Sequence, residues 1–302
     1  MYENTINSTE VIIPKKVIII NYKQFYINEK KKRENLEKEN QYLLAKIKIL
    51  TSNQNTGEKD EVLLLVKLFH FNQTKQYDQL IDIFGEEASE GISILNIDTK
   101  DEILDINKIS KVKRKFKADC MIQMRKTENI YSISIKSKNG ANPAIINHTP
   151  RSAKVFHEGG ILCDSIDSLD IIMTDYIKKR NTKIIGEDAQ INNLESLKCP
   201  LIKNKFMEVL TYFVFDGSGK GYSKYKVNAM ITYQNEKIFF TKCGNIEEKK
   251  EYIKKIYDRL IISLRDKGMP RVISEYCRPW LFNDYKKDGN IKYKGSLHIR
   301  LN

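Results

Sequence analysis

The chain has 302 residues, of which 41% are hydrophobic, so it can bury a substantial core and is not intrinsically disordered. Its formal net charge of +13 predicts an anionic partner, and nucleic acid is favoured over an acidic membrane surface. Five scattered cysteines without a C-x-x-C pair argue against a disulfide framework and a structural zinc site, and they predict a reducing, cytoplasmic location. No apolar run approaches the length of a membrane span, so no membrane partner is expected.

The first predicted element is a helix over residues 23–50. Leucines recur in it every seven residues, at Leu36, Leu43 and Leu50. The other seam positions of this heptad pattern are Arg33, Asn40 and Ile47. Leucine at one seam position and a single Asn at the other is typical of a short parallel zipper, and an amphipathic helix packed on its own domain explains the pattern equally well. The polar segment 53–59 predicts a boundary between an N-terminal segment, 1–55, and a domain over 56–302.

Helices and strands alternate beyond this boundary. The predicted segments, in chain order, are helices at 60–69 and 75–84, a buried strand at 91–97, a helix at 164–180, a helix passing into a strand at 204–215, a hairpin at 221–243 turning at 234–236, a helix at 246–268, and strands at 271–276 and 293–301. This interleaving predicts a mixed α/β (α+β) fold class.

A second predicted hairpin carries the chemistry. It joins "ADCMIQM" (118–124) to "IYSISIKS" (130–137) through a polar turn. Because side chains alternate along a strand, Ser134 and Lys136 point to the same face, and Asp119 lies at the open end of the hairpin beside them. A carboxylate can bind Mg²⁺, while a lysine can orient an attacking water and stabilise charge on a phosphate.

These residues resemble the signature of the PD-(D/E)XK nuclease superfamily, in which an Asp, a hairpin and an acid-x-Lys follow one another. Asp119 and the Ser134-Ile135-Lys136 run match it with two departures. Ala118 stands where the family has Pro, and Ser134 stands where the family has an acid that binds metal. The longer run "SIKSKNGANPAIINHTPRSAKVF" is similar to a subset of type II restriction endonucleases, the HpaII-type enzymes among them. The closing "YKGSLHIRL" is also similar, more weakly.

The resemblance implies a restriction-endonuclease-like core: a central mixed sheet flanked by helices, with an N-terminal helical or coiled-coil extension. It implies a homodimer that hydrolyses double-stranded DNA at a specific sequence, with Mg²⁺ as cofactor and a cognate DNA methyltransferase in the same system. Asp119, Ser134 and Lys136 would be catalytic. Asp119, the peptide oxygen of Ile135 and Glu61 would hold the metal, with Glu102 and Asp105 as alternative acids.

Ten basic residues against two acids lie between positions 108 and 138, which fits contacts to a phosphate backbone. The predicted DNA-contacting residues are Lys113, Arg114, Lys115, Lys138, Asn147, His148, Arg151 and Ser152. Three alternatives stay open. Asp119 could cap a strand while Lys136 extends from a sheet edge, the chain could bind DNA with a decayed site, or it could cut RNA or branched DNA.

Overall fold

The computed structural model describes residues 15–112, 116–140, 142–146, 150–186, 188–265, 279–287 and 290–302. Within these ranges the helices are α1 (Lys15–Leu50), α2 (Thr56–Gln73), α3 (Tyr77–Phe84), α4 (Ile166–Asn181), α5 (Pro200–Thr211) and α6 (Ile246–Tyr257). The strands are β1 (Ile92–Leu95), β2 (Cys120–Met124), β3 (Ile130–Ser137), β4 (Ala144–Ile146), β5 (Ala189–Gln190), β6 (Gly217–Ser218), β7 (Gly221–Tyr222), β8 (Ala229–Gln234), β9 (Lys237–Lys242), β10 (Leu260–Arg265), β11 (Leu281–Lys287) and β12 (Asn290–Leu301). The fold class is mixed α+β, as predicted.

The central sheet has the strand order β1-β2-β3-β8-β9. It is mixed, because β3 and β8 run parallel while the other neighbours are antiparallel. Residues such as Ile122, Ile133 and Ile231 share one buried cluster with α2 and α3. Met121 and Met230, which alternate with those positions, belong to the cluster formed with α4, α5 and α6. Helices therefore flank the sheet on both sides.

A second sheet has the order β11-β12-β10-β5, with β4 paired to β12. All of its pairings are antiparallel. Ile262, Leu297 and Ile299 from this sheet are buried in the same cluster as Tyr176 of α4 and Phe206 of α5. This shared core joins the second sheet to the central one, and β12 brings residues near the end of the chain back to the centre of the molecule.

Local signals explain most element boundaries. Asn55 caps α2 by accepting a hydrogen bond from Glu58 N, and Asn245 forms a reciprocal capping box with Glu248 at the start of α6. Positive φ at Asn235 and Glu236 closes the tight turn between β8 and β9. The predicted helices at 60–69, 75–84 and 164–180, the strands at 91–97 and 293–301, and both hairpins are confirmed.

Two predicted elements were wrong. Residues 204–215 do not pass into a strand: α5 continues as a π-helical turn, Tyr212–Asp216, because Tyr212, Val214 and Phe215 all reach the core from a helical backbone. The helix predicted at 246–268 ends at Tyr257, and the mostly apolar run that follows, which contains Ile261 and Ile262, forms β10 against β12. The strand predicted at 271–276 lies outside the described residues.

Helix α1 has two apolar faces. Tyr42, Ala45 and Ile49 pack on the core through α2, so self-packing explains this face. The leucines Leu36, Leu43 and Leu50 are 57%, 45% and 50% exposed, and they occupy a different face. Among the described helices, none is both long and apolar enough to cross a membrane.

Candidate active site

The pairing of β2 with β3 brings Asp119 and Ser134 together. Cys120 lies opposite Ile133, so the next position outward sets Asp119 opposite Ser134. The Ser134 hydroxyl donates to Asp119 Oδ2 over 3.0 Å, and the Ile135 N–H donates to the same oxygen over 2.7 Å. The Asp119 N–H in turn donates to Ile133 O over 2.7 Å. Oδ2 is thus fixed by two donors, and no described residue donates to Oδ1.

Lys136 lies two residues beyond Ser134 on the same face of β3. It lines a cleft of about 530 Å³ at the end of the central sheet. Within the described part of the chain, no side chain or main-chain oxygen forms an ion pair or hydrogen bond with its ammonium group. A partly buried cation without a partner is costly unless a ligand or water meets it, so Lys136 is available to an anion entering the cleft.

Helix α2 is anchored against the end of β3, and this anchoring positions Glu61. The buried carboxylate of Asp60 accepts hydrogen bonds from the Ser137 hydroxyl and from Asn139 Nδ2. Glu61, the next residue, lines the cleft beside Lys136. The structure therefore brings Glu61 to the same site as Asp119 and Lys136, although it comes from a helix 58 positions earlier than Asp119.

Burial and neighbouring charges shift the pKa values of two groups near the cleft strongly. Burial, followed by the charge of Asp119, raises the pKa of Glu61 to about 7, against the opposing charges of Lys111 and Lys136. Burial lowers the pKa of Lys117 to about 7, with the charge of Lys136 acting in the same direction and Asp119 against it. Such opposite shifts in neighbouring groups are common at functional sites and also occur in structural ion networks.

Asp119 and Glu61 provide a carboxylate pair that fits a divalent cation. Burial is the main cause of the raised pKa of Glu61, and repulsion by the Asp119 carboxylate adds to it, so a cation between the two carboxylates would relieve that repulsion. Ile135 lines the cleft although its side chain is in the core, so its main chain faces the site. No group of three or more His, Cys, Asp or Glu side chains forms a metal cluster within the described ranges. Mg²⁺ commonly uses one or two carboxylates plus water and substrate oxygens.

The alternative acids are engaged elsewhere. Glu102 forms a salt bridge with Arg125 at 2.7 Å on the edge of the central sheet. Asp105 accepts a hydrogen bond from Asn107 N and caps a short 3₁₀ helix. Neither residue lines the cleft. Of the three acids considered from sequence, Glu61 is therefore the one beside Asp119.

The predicted DNA-contacting residues have mixed positions. Lys113, Arg114, Lys115, Asn147 and His148 lie outside the described residues. Lys138 donates to Asn302 O over 3.1 Å, and Arg151 is paired with Asp170 through its Nε and Nη2 atoms. Ser152 is exposed on the short 3₁₀ helix Pro150–Ser152. Lys138 and Arg151 thus already have intramolecular partners, which a DNA phosphate would have to displace or share.

Sequence reasoning did not single out three cations at this site. Lys111 lines the cleft and is paired with Glu58 of α2. Lys117 interacts with Asp119 and Lys136 through its charge. Arg300 of β12 also lines the cleft. A basic residue within two positions of Asp119 was a usable signal for Lys117, whereas Arg300 depends on the pairing of distant segments.

The arrangement can perform one kind of chemistry well. A carboxylate pair can hold a divalent cation, and an unpaired ammonium group beside it can bind an anion and stabilise negative charge that develops on it. Phosphate esters combine an anionic oxygen with a bond whose hydrolysis benefits from both features. Comparisons of the chain with protein-family models, with curated proteins and with solved structures gave no match.

Proposed function

We propose that the chain is a Mg²⁺-dependent endonuclease of the type II restriction kind, which hydrolyses phosphodiester bonds in double-stranded DNA at a specific sequence. The observation that carries the proposal is Lys136, which lines a cleft next to Asp119 and Glu61 and has no hydrogen-bond or ion-pair partner among the described residues. The mixed sheet flanked by helices is compatible with the restriction-endonuclease-like core that the sequence resemblance implies. The net charge of +13 supports a polyanionic substrate.

The chain's own residues have separate roles in this reaction. Ser134 and Ile135 hold one oxygen of the Asp119 carboxylate by hydrogen bonds. The other carboxylate oxygen is therefore already oriented before a ligand binds. Lys136 orients the attacking water and stabilises the charge that builds on the phosphate oxygens. The water oxygen bonds to phosphorus, one phosphorus–oxygen ester bond breaks, and the leaving oxygen takes a proton. The products are a phosphate monoester and an alcohol, and no covalent protein intermediate forms.

Mg²⁺, held by Asp119, Glu61 and the peptide oxygen of Ile135, would supply Lewis acidity at the phosphate. Ser134 has a different part from the acid that the nuclease pattern has at this position. Its hydroxyl donates to Asp119, so it orients the carboxylate. Glu61 from α2 supplies the second carboxylate from another element.

A homodimer and a cognate methyltransferase belong to the same proposal. Two-fold symmetric DNA sites suit two-fold symmetric proteins. The exposed leucines of α1 offer a surface for a second copy of this chain. A methyltransferase acting on the same DNA sequence would protect the DNA of a cell that carries such an enzyme.

Plasmid cleavage tests the proposal. The wild type should convert plasmid DNA to discrete fragments with Mg²⁺ and leave it intact with EDTA. Lys136→Ala should cut at least about 100-fold more slowly, since a positioned proton-transfer or charge-stabilising group contributes about that much or more. Lys126→Ala makes the same charge change at the other end of the hairpin, where Lys126 contacts Glu86 O, and should cut at the wild-type rate.

The same experiment separates the other functions. DNA that is shifted in a gel and left uncut would support a DNA-binding protein with a decayed site. A smear of fragments would support a nuclease without sequence specificity. Cleavage of RNA or branched DNA, with the plasmid left intact, would support a nuclease that acts on those substrates. Equal activity of the Lys136→Ala variant would remove the catalytic role of this residue.

A further inference from the structure

Arg300 lines the same cleft as Lys136. Lys136 belongs to the central sheet, whereas Arg300 lies on β12 of the second sheet, where it is paired with Ala144. Asn142, Pro143 and Ala144 line the same wall as Arg300. The two sheets thus each bring one cation into a single cleft of about 530 Å³.

The guanidinium group of Arg300 has few partners among the residues that the structure describes. Its Nη1 donates to Asn142 O over 3.4 Å, which is long for a hydrogen bond. Its Nε is buried and has no hydrogen-bond partner among the residues that the structure describes. A buried donor without a partner is rare in proteins and points to water or a ligand. A guanidinium group has five N–H donors, so most of its capacity is unused here.

The acids of the cleft do not neutralise Arg300. Glu58 is already paired with Lys111. Glu61 lies beside Lys136 and Asp119, and no ion pair joins it to Arg300 within the described ranges. The first turn of α2, at Thr56 and Gly57, lines the cleft as well and adds the positive end of a helix dipole. The wall around Arg300 therefore favours an anion.

We propose that Arg300 binds a backbone phosphate of the nucleic acid in the cleft that it shares with Lys136. This inference rests on the proposed function. Guanidinium groups bind two phosphate oxygens at once, which fixes the phosphate in orientation as well as position. The phosphate would be held from both sheets, by Lys136 and by Arg300. The chemistry is shared by free inorganic phosphate, so the experiment has to separate the two sources.

Binding of a labelled DNA duplex in EDTA tests the inference without catalysis. Arg300→Ala should weaken binding about 10- to 100-fold, as expected for the loss of charge-assisted hydrogen bonds. Arg300→Lys keeps the positive charge but cannot donate two parallel hydrogen bonds to one phosphate, so its affinity for the duplex should lie between those of the wild type and Arg300→Ala. Arg259→Ala is the matched control. Arg259 is exposed and also holds the end of β12, through two hydrogen bonds to Asn302 O, but it does not line the cleft. The Arg259→Ala variant should bind the duplex with an affinity within about threefold of that of the wild type.

Thermal melting in inorganic phosphate, against chloride at equal ionic strength, gives the second arm. Phosphate stabilisation that Arg300→Ala abolishes, with unchanged duplex binding, would overturn the assignment to a nucleic-acid backbone. Unchanged duplex binding by a folded Arg300→Ala variant would likewise overturn it. If Arg300→Ala does not fold, Arg300→Lys decides, and duplex binding equal to the wild type overturns the inference. If the plasmid stays uncut but duplex binding depends on Arg300, the proposed nuclease activity is refuted and the proposed phosphate site at Arg300 is retained.

Discussion

Ser134 performs a task that a carboxylate at its position could not perform. A hydroxyl can donate a hydrogen bond to the Asp119 carboxylate, whereas a second ionised acid would repel it. The serine is buried, so this bond is shielded from water and fixes the carboxylate firmly. The second acid is then supplied by Glu61, which the fold brings to the site from α2. The candidate site thus has a carboxylate pair whose members come from two different elements.

Glu61 predicts a pH dependence of stability in the metal-free protein. Its folded pKa of about 7 lies above the ordinary value of 4.5, so the unfolded chain ionises first as the pH rises. Stability should therefore fall between about pH 4.5 and pH 7. Glu61→Gln cannot ionise and should be more stable than the wild type at pH 8, by about 2 to 3 kcal/mol, with no gain at pH 4. Urea unfolding in EDTA at several pH values measures this difference.

Glu58→Gln is the control for this measurement. Glu58 lies one turn earlier on the same helix and is paired with Lys111. Its replacement removes this attraction together with the weaker repulsion between Glu58 and Glu61, so any gain in stability at pH 8 should be much smaller than for Glu61→Gln. A stability difference between wild type and Glu61→Gln that stays constant from pH 4 to pH 8 would contradict the shifted pKa of Glu61.

Part of the site was predictable from residues alone. Strand alternation is sufficient to place Ser134 and Lys136 on one face, and a hairpin is sufficient to bring Asp119 beside them. The burial of Lys117 and the approach of Arg300 could not be predicted this way. Both depend on packing between segments far apart in sequence, for which a single chain carries no periodic signal.

At the scale of elements, α1 has one face packed on the core and another that is apolar and exposed. Tyr42 stacks on His70 of α2 with ring centroids 4.4 Å apart, and Glu39 lies 3.1 Å from the same imidazole. The heptad seam of Leu36 and Leu43 faces away from this contact and is exposed. In a parallel pair of α1 helices, Lys32 and Glu37 of the other copy fall on facing flanking positions with opposite charges. These features favour a second copy of this chain as the occupant.

Leu43→Lys should separate the dimer. A lysine at a seam position removes apolar area that the dimer would bury and brings two like charges together. We therefore expect a dimer dissociation constant at least about 100-fold higher than that of the wild type. Gln41→Lys places the same side chain on an exposed face of α1, outside both the contact with α2 and the proposed dimer seam, and should leave dimerisation unchanged. Sedimentation velocity over a concentration series measures both. A wild type that is monomeric throughout, or a Leu43→Lys variant that dimerises equally well, would contradict the assignment.

Elements with a strong period were predicted correctly, and those with ambiguous runs were not. The capped apolar pattern of α2 and the alternation of β8 and β9 each indicate one structure. The run 260–265 is apolar at every position except Ser263 and Arg265, so helix and strand fit it equally. Pairing with β12 decides for the strand, and that partner lies more than 30 residues later. Tertiary contacts thus override a local pattern that is too short to decide.

At the scale of the whole molecule, the candidate cleft lies where the two sheets meet. Lys136 of the central sheet, Glu61 of α2 and Arg300 of the second sheet line it, and the charge of Asp119, the residue before β2, acts on Glu61. A cleft between two sheets can contact a long, regular polymer with residues from both sheets. The formal charge of +13 extends this preference for anions over the surface and would increase the rate of encounter with a polyanion.

Salt dependence tests whether this charge binds a nucleic-acid backbone. Contacts to phosphates release counterions, so the logarithm of the binding constant should fall linearly with the logarithm of the salt concentration. For about six to ten phosphate contacts, affinity should decrease roughly 10³- to 10⁵-fold between 50 and 200 mM salt. Fluorescence anisotropy of a labelled duplex in EDTA measures the slope, and a chain of acidic peptide at equal charge density serves as the control ligand. A slope corresponding to one or two contacts would mean that most of the basic surface takes no part in binding, because a duplex held along the cleft has to neutralise several phosphates at once.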